Sequence, residues 1–186
     1  MRFWASENPY YSVSKVAHPI RVTAWAAITR HKIYITTFTE TVTGEYYRQI
    51  LVRRFYPWLT RAGIPDDSWF MQDGATPHRT KDVFESLAAK FDGRVIGLGY
   101  PGFKGGGIEW PPYSPDLNPC DFFLWGFLKD RVYKRTPKNL QQLTTAIQTE
   151  IAAIDNEMLG RVYSAFLRRL EACYLSGGSH FENIYI

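Results

Sequence analysis

The sequence predicts an α/β domain in which helices flank a mixed β-sheet. Two segments rich in β-branched and aromatic residues, 21–29 and 32–39, are joined by a short turn and indicate a β-hairpin. A strand–helix–strand pattern over 68–98 indicates a right-handed parallel crossover. Helical periodicity dominates after residue 121. An antiparallel pair, a parallel pair and amphipathic helices together favour a mixed sheet covered by helices.

Composition places the chain among globular, nonmembrane proteins. It has 186 residues, of which 45% are hydrophobic and 22% charged, enough for one domain with a core and too apolar for a disordered chain. The net charge of +4 is compatible with an anionic partner such as nucleic acid. Cys120 and Cys173 form no metal or redox motif and favour reduced, buried thiols. Without a signal peptide or membrane-length apolar run, we expect a soluble intracellular protein.

Helix boundaries can be predicted from capping residues and breakers. Thr43 is expected to cap a first helix, which Pro57 should kink or restart, and Asn139 to cap a later one. Residues 99–107 are predicted to form a glycine-rich loop, and the first twenty residues and residues 181–186 a surface lead-in and a tail. Apolar spacing predicts inward faces in the last two helices, comprising Leu140, Leu143, Ile147, Ile151 and Ile154, then Leu159, Val162, Phe166, Leu170 and Cys173.

A proline-rich arm, Trp110–Asp121, connects the last predicted strand to the following helix. It contains Pro111, Pro112, Pro115 and Pro119, which fix φ, remove backbone donors and push their predecessors toward extended geometry. We therefore expect neither helix nor central strand in the arm. A loop held this firmly delivers the carboxylate of Asp121 to a defined place at the start of the next helix.

Two carboxylates are the candidate catalytic residues. Asp73 follows a predicted strand, and Asp121 begins a helix, so both can converge over one sheet edge. Mg²⁺ is usually held by one or two carboxylates plus phosphate oxygens. His78 is a candidate for orienting a phosphate or a nucleophile. The alternatives are a turn residue at Asp73, a helix cap at Asp121 and a structural histidine; Asp116 is interpreted as a turn stabiliser.

Two motifs carry a family resemblance. Trp69-Phe-Met-Gln-Asp-Gly-Ala-Thr-Pro-His78 and Trp110-Pro-Pro-Tyr-Ser-Pro-Asp-Leu-Asn-Pro-Cys-Asp-Phe-Phe-Leu-Trp125 resemble the catalytic domain of Tc1/mariner-type transposases. The segments 2–10 and 22–28 are similar to parts of the same domain. The resemblance implies an RNase H-like fold, a triad of acids binding two Mg²⁺ or Mn²⁺ ions, and DNA cleavage followed by strand transfer. It also implies transposon ends and target DNA as partners, a possible homodimer and a nuclear location.

The resemblance gives Asp73 the place of the second acid and Asp121 that of the third. No position matches the first acid, which the family carries on the central strand upstream of the Phe3-Trp-Ala-Ser-Glu-Asn8 segment. We therefore expect a partial catalytic domain over 1–186, lacking that strand, with a core at about 20–135 and a C-terminal helical part at about 136–186. The resemblance implies a transposase-type, metal-dependent DNA nuclease and strand transferase, and we expect this partial domain to be inactive.

A basic cluster offers a second function. Its members are Lys129, Arg131, Lys134, Arg135 and Lys138, near the C-terminal end of the helix that follows the arm. They are candidates for contacts to the DNA backbone in a non-catalytic nucleic-acid-binding module. The competing interpretation is a solvated helix face. A third hypothesis is a protein-interaction module that uses aromatic surface left open by the missing strand.

Overall fold

The computed structural model describes residues 20–179 and 181, and the predictions for the lead-in and for residues 182–186 lie outside that part. The described strands are β1 (Thr23–Ile28), β2 (Ile33–Phe38), β3 (Phe70–Met71) and β4 (Val95–Ile96). The described α-helices are α1 (Gly44–Ile50), α2 (Tyr56–Arg61), α3 (Lys81–Phe91), α4 (Tyr100–Lys104), α5 (Trp125–Lys134), α6 (Leu140–Ala152) and α7 (Asn156–Leu175).

The first two strands form the predicted antiparallel hairpin. Their register runs from Thr23 opposite Phe38 to Ile28 opposite Ile33. The turn closes where the backbone N–H of Thr29 donates to the carbonyl of Lys32 at 2.8 Å. The hydroxyl of Thr29 also accepts from the backbone N–H of Lys32 at 2.9 Å. The hairpin prediction is confirmed.

The predicted parallel crossover is confirmed as well. β3 and β4 pair in parallel, with Phe70 opposite Val95, and α3 connects them. Ile108 adds a parallel bridge beside Ile96, so the segment just before the proline arm extends this small sheet. Among the described residues, β1–β2 and β3–β4 remain two separate sheets. The mixed pairing is therefore divided into an antiparallel and a parallel half.

The first helical stretch runs from α1 to α2 through a π-helical segment, Leu51–Phe55. Thr43 caps α1 as predicted, because its side chain accepts from the N–H of Tyr46. The N–H of Tyr56 donates to the carbonyl of Leu51. Pro57 has no N–H, so the chain restarts regular α-helix around it without leaving the helical path.

Two predicted irregular regions contain helical turns. The loop prediction for 99–107 is wrong in its middle, where the chain forms α4. Pro101 fits the first turn of a helix. Tyr100 is fully buried, and the centre of its ring lies 5.4 Å from the centre of the Phe84 ring. The expectation that the proline arm holds no helix is also wrong, because Pro115–Leu117 form a 3₁₀ turn. Pro115 already has the φ that such a turn needs.

The helices pack their apolar faces inward with two exceptions to the prediction. Leu140 and Leu170 were expected inside, but their exposed fractions are 41% and 47%. The buried side chains of α7 include Val162 and Ala172. Leu170 lies about a quarter-turn around the helix from its neighbour Arg169. No helix among the described residues combines the length and the hydropathy needed to cross a membrane.

Candidate active site

Asp73 follows β3 and contacts two neighbouring groups through one carboxylate oxygen. Its Oδ1 accepts from the backbone N–H of Ala75 at 3.0 Å and lies 2.7 Å from Nδ1 of His78. The contact with His78 lowers the pKa of the Asp73 carboxyl most strongly, and the Ala75 N–H adds to it, while partial burial acts in the opposite direction. Asp73 is therefore a fixed, ionised carboxylate.

Asp121 lies in the first turn of a π-helical segment, Cys120–Leu124, that leads into α5. Asn118 donates through Nδ2 to Oδ2 of Asp121 at 2.8 Å, and its own Oδ1 accepts from the N–H of Cys120 at 3.0 Å. Burial raises the pKa of Asp121, the charge of Asp73 raises it further, and the Asn118 hydrogen bond opposes both. Asp121 therefore ionises less readily than an isolated carboxyl.

The two carboxylates converge on one cavity. Asp73, Asp121 and Cys120 line a space of about 1070 Å³ that is also lined by β1 and β3. Burial, followed by the charges of Asp121 and Asp73, raises the pKa of the Cys120 thiol to about 12. That thiol lies 3.8 Å from the carbonyl of Ala26 in β1, so the arm reaches across to the first sheet. The structure thus brings both predicted acids to the same place.

Their chemistry fits a divalent cation. In each carboxylate one oxygen is engaged, Oδ1 of Asp73 and Oδ2 of Asp121, and the other accepts no hydrogen bond from a described residue. Two monodentate carboxylates, completed by waters and phosphate oxygens, are a common Mg²⁺ donor set. The described residues contain no group of three His, Cys, Asp or Glu that could hold a metal. Within the described part of the chain, the candidate donors are therefore the two carboxylates of Asp73 and Asp121.

The proline arm is anchored on both sides of Asp121. Trp110 and Leu117 are buried with Phe181 in an apolar cluster. Arg169 of α7 donates to the carbonyl of Asp116 at 3.3 Å, and its guanidinium lies 4.6 Å from the ring centre of Phe122. α7 therefore contacts the chain before and after Asp121, and Asp116 contributes a backbone acceptor to this contact.

Three residues near the carboxylates were not singled out from the sequence. Tyr47 and Gln72 form a buried hydrogen bond at 3.0 Å, and Gln72 also donates to the carbonyl of His78 at 3.0 Å. Their contacts join positions 25 residues apart, and no local pattern signals such a pair. Asn118 lies three residues before Asp121, a spacing typical of a side chain that caps a helical turn.

The basic cluster divides into two groups. Arg131 and Arg135 pair with the buried Glu150 of α6, at 3.8 Å and 2.6 Å respectively. Lys129, Lys134 and Lys138 are exposed and pair with no carboxylate among the described residues. The two arginines therefore join α5 to α6, and the three lysines are available at the surface.

No protein-family model matches the chain. The sequence is 24% identical over 186 residues to the human histone-lysine N-methyltransferase SETMAR, a match that covers 95% of this chain and 25% of SETMAR. The chain spans about a quarter of this curated relative.

Solved structures of Mos1 transposase share the fold. The Mos1 mariner paired-end complex with Mn matches with a TM-score of 0.72 and 21% identity, over 98% of this chain and 52% of that one. The Mos1 catalytic domain with Raltegravir and Mg matches with a TM-score of 0.67 and 20% identity, over 87% and 77%. The resemblance to Tc1/mariner-type transposases is thereby confirmed, and the chain has the RNase H-like fold of their catalytic domain.

Proposed function

We propose that the chain is part of a transposase catalytic domain whose reaction class is metal-dependent phosphoryl transfer on DNA. Asp73 and Asp121 are the proposed metal ligands and catalytic residues. The observation that carries this proposal is their convergence on one cavity from separate elements, each with one oxygen that accepts no hydrogen bond from the described residues. The Mn and Mg in the Mos1 structures support a divalent cation as the cofactor.

The chain's own residues have distinct proposed roles. His78 and the N–H of Ala75 hold Oδ1 of Asp73, and Asn118 holds Oδ2 of Asp121, which leaves the remaining oxygens for the cation. A bound Mg²⁺ or Mn²⁺ supplies charge stabilisation at a transferring phosphoryl group. Transposon ends and target DNA are the proposed partners, a homodimer the proposed assembly and the nucleus the proposed location.

The described residues supply two carboxylates to this site, and we expect these two alone to support little or no cleavage. Supercoiled plasmid incubated with the full chain and Mg²⁺ or Mn²⁺ should show no more nicking than with Asp73→Asn. Cation-dependent nicking that both Asp73→Asn and Asp121→Asn abolish would contradict the expected inactivity and would establish the proposed reaction. Nicking that neither substitution affects would refute the assignment of these residues.

A second candidate function is sequence-independent DNA binding without catalysis. The observation that favours it is the exposure of Lys129, Lys134 and Lys138, which have no carboxylate partner in the part of the chain that the structure describes. Exposed lysines that neutralise phosphates release counterions, so binding weakens steeply as salt rises. Such contacts position DNA and carry little sequence preference.

Gel-shift titrations over a range of salt concentrations test this binding. Each of Lys129→Gln, Lys134→Gln and Lys138→Gln should weaken binding and reduce the slope of log K against log salt by about 0.9. Lys81→Gln is the matched control, because Lys81 is an exposed lysine of α3 outside the cluster. No binding at low salt, or the same slope change in the control, would remove this candidate.

A further inference from the structure

Gln72 is an unusual residue in this core because it is polar and almost fully buried. It is 6% exposed, and Glu150 is the other charged or polar side chain that is buried among the described residues. The side-chain amide of Gln72 forms two hydrogen bonds: Oε1 accepts from the hydroxyl of Tyr47, and Nε2 donates to the backbone carbonyl of His78. A buried amide left without partners is costly, so these contacts have one favourable arrangement.

Tyr47 holds the same histidine in a second way. Its side chain is fully buried, and its ring lies 4.2 Å from the imidazole ring of His78 at an interplanar angle of 33°. The phenol hydroxyl fixes the amide of Gln72, and the aromatic face restricts rotation of the imidazole. One tyrosine of α1 therefore acts on both the side chain and, through Gln72, the backbone of His78.

Nδ1 is the imidazole nitrogen of His78 that faces Asp73. Nδ1 is buried, lies 2.7 Å from Oδ1 of Asp73 and has no other hydrogen-bond partner among the described residues, so its contact with the carboxylate requires a proton on Nδ1. The same oxygen accepts from the N–H of Ala75, so the carboxylate cannot rotate without breaking both contacts. Oδ2 is thereby left at a fixed position for a ligand.

We propose that Tyr47 and Gln72 are positioning residues that hold His78 in its Nδ1-protonated tautomer and, through it, orient the Asp73 carboxylate. The tautomer part stands on geometry alone, and the consequence for a cation rests on the proposed function. Partners of a metal-binding side chain that do not touch the metal commonly change metal affinity by tenfold or more when removed.

The test uses conservative substitutions in the full chain. Tyr47→Phe keeps the ring and removes the hydroxyl, and Gln72→Met keeps the approximate side-chain length and removes both hydrogen bonds. Tyr56→Phe is the matched control. Tyr56 lies on the same helical stretch as Tyr47, but its hydroxyl forms a hydrogen bond with the hydroxyl of Ser86 at 3.1 Å and not with Gln72. A merely structural role predicts similar effects in Tyr47→Phe and Tyr56→Phe.

Two readouts separate the outcomes. Long-range ¹H–¹⁵N spectra, with the His78 signals identified by His78→Gln, should show the single Nδ1-protonated tautomer in the wild type and in Tyr56→Phe. They should show a tautomer mixture in Tyr47→Phe and Gln72→Met. Mn²⁺ binding followed by electron paramagnetic resonance should weaken roughly tenfold in those two variants and stay unchanged in Tyr56→Phe.

An unchanged tautomer in both Tyr47→Phe and Gln72→Met would overturn the proposal. A tautomer change in a chain whose wild type binds no Mn²⁺ would leave the positioning role standing and refute the proposed function. Weaker Mn²⁺ binding in all three variants, with no change of tautomer, would assign the effect to general destabilisation and would also overturn the positioning role.

Discussion

Asp73 and Asp121 share a cavity but have opposite local electrostatics. His78 and the N–H of Ala75 stabilise the charged form of Asp73. Burial and the charge of Asp73 destabilise the charged form of Asp121. Two nearby carboxylates with pKa values displaced in opposite directions store repulsion that a divalent cation relieves. The arrangement is thus costly for folding and favourable for a cation ligand.

The two carboxylates should respond oppositely to neutralisation. In chelator-treated protein at pH 7, Asp121→Asn should raise the free energy of unfolding by a few tenths of a kcal/mol because the group is partly exposed. Asp73→Asn should lower it by about 1 kcal/mol because a charge-assisted contact is lost. Urea denaturation measures both. Equal signs for the two changes would show that the local environments are not as described.

The pH dependence follows from the direction of each pKa. Asp121 has a raised pKa in the fold, so its stability contribution is present below the unfolded pKa and is lost as pH rises through the folded pKa. The advantage of Asp121→Asn should therefore disappear at low pH. Asp73 has a lowered pKa, so its contribution is present above the unfolded pKa and is lost as pH falls through the folded pKa. The penalty of Asp73→Asn should also shrink in acid.

At the scale of elements, local signals predicted the structure best. Residues close together in the sequence predict the hairpin, the crossover and the helix caps at Thr43 and Asn139. The structure contains all four features. The π-helical segments were not predicted, because one extra residue in a helical turn leaves the apolar spacing almost unchanged. The exposure of Leu170 depends on which face of α7 the arm contacts, and that information is not local.

The contact between α7 and the proline arm should protect the end of the arm against local opening. Arg169→Ala should increase amide hydrogen exchange across 116–122, because it removes the donor to the carbonyl of Asp116 and the packing on Phe122. Arg168→Ala, at the neighbouring exposed position, is the control and should leave exchange unchanged. Similar exchange in both variants would mean that α7 does not fix the arm through Arg169.

Glu150 of α6 joins α5 to α6 through its ion pairs with Arg131 and Arg135. Glu150→Gln should destabilise the protein by about 2 kcal/mol, because Arg135 and Arg131 lose a buried charged partner while remaining partly hydrated. The same substitution should tighten DNA binding by releasing two cations beside the exposed lysines. Thermal unfolding and gel shifts check the two effects, and Glu157→Gln on α7, whose partner Arg161 is surface-exposed, should produce neither.

For the whole molecule, the site lies where separate parts of the fold meet. Asp73 follows strand β3 of the parallel sheet, Asp121 ends the arm, and Cys120 beside it contacts the antiparallel sheet at Ala26. The sequence could place both acids because strand ends and helix starts have local signatures. It could not show that Glu150 engages Arg131 and Arg135, because that contact depends on how α5 packs on α6.

Asp73 and Asp121 are the proposed ligands of one cation site. Mn²⁺ titration followed by electron paramagnetic resonance tests it most directly, with Asp116→Asn as the control because Asp116 contributes only its backbone carbonyl to a contact described here. We predict weak binding to the wild type and to Asp116→Asn, and loss of that binding in both Asp73→Asn and Asp121→Asn. No binding to the wild type, or binding that survives both substitutions, would contradict the account.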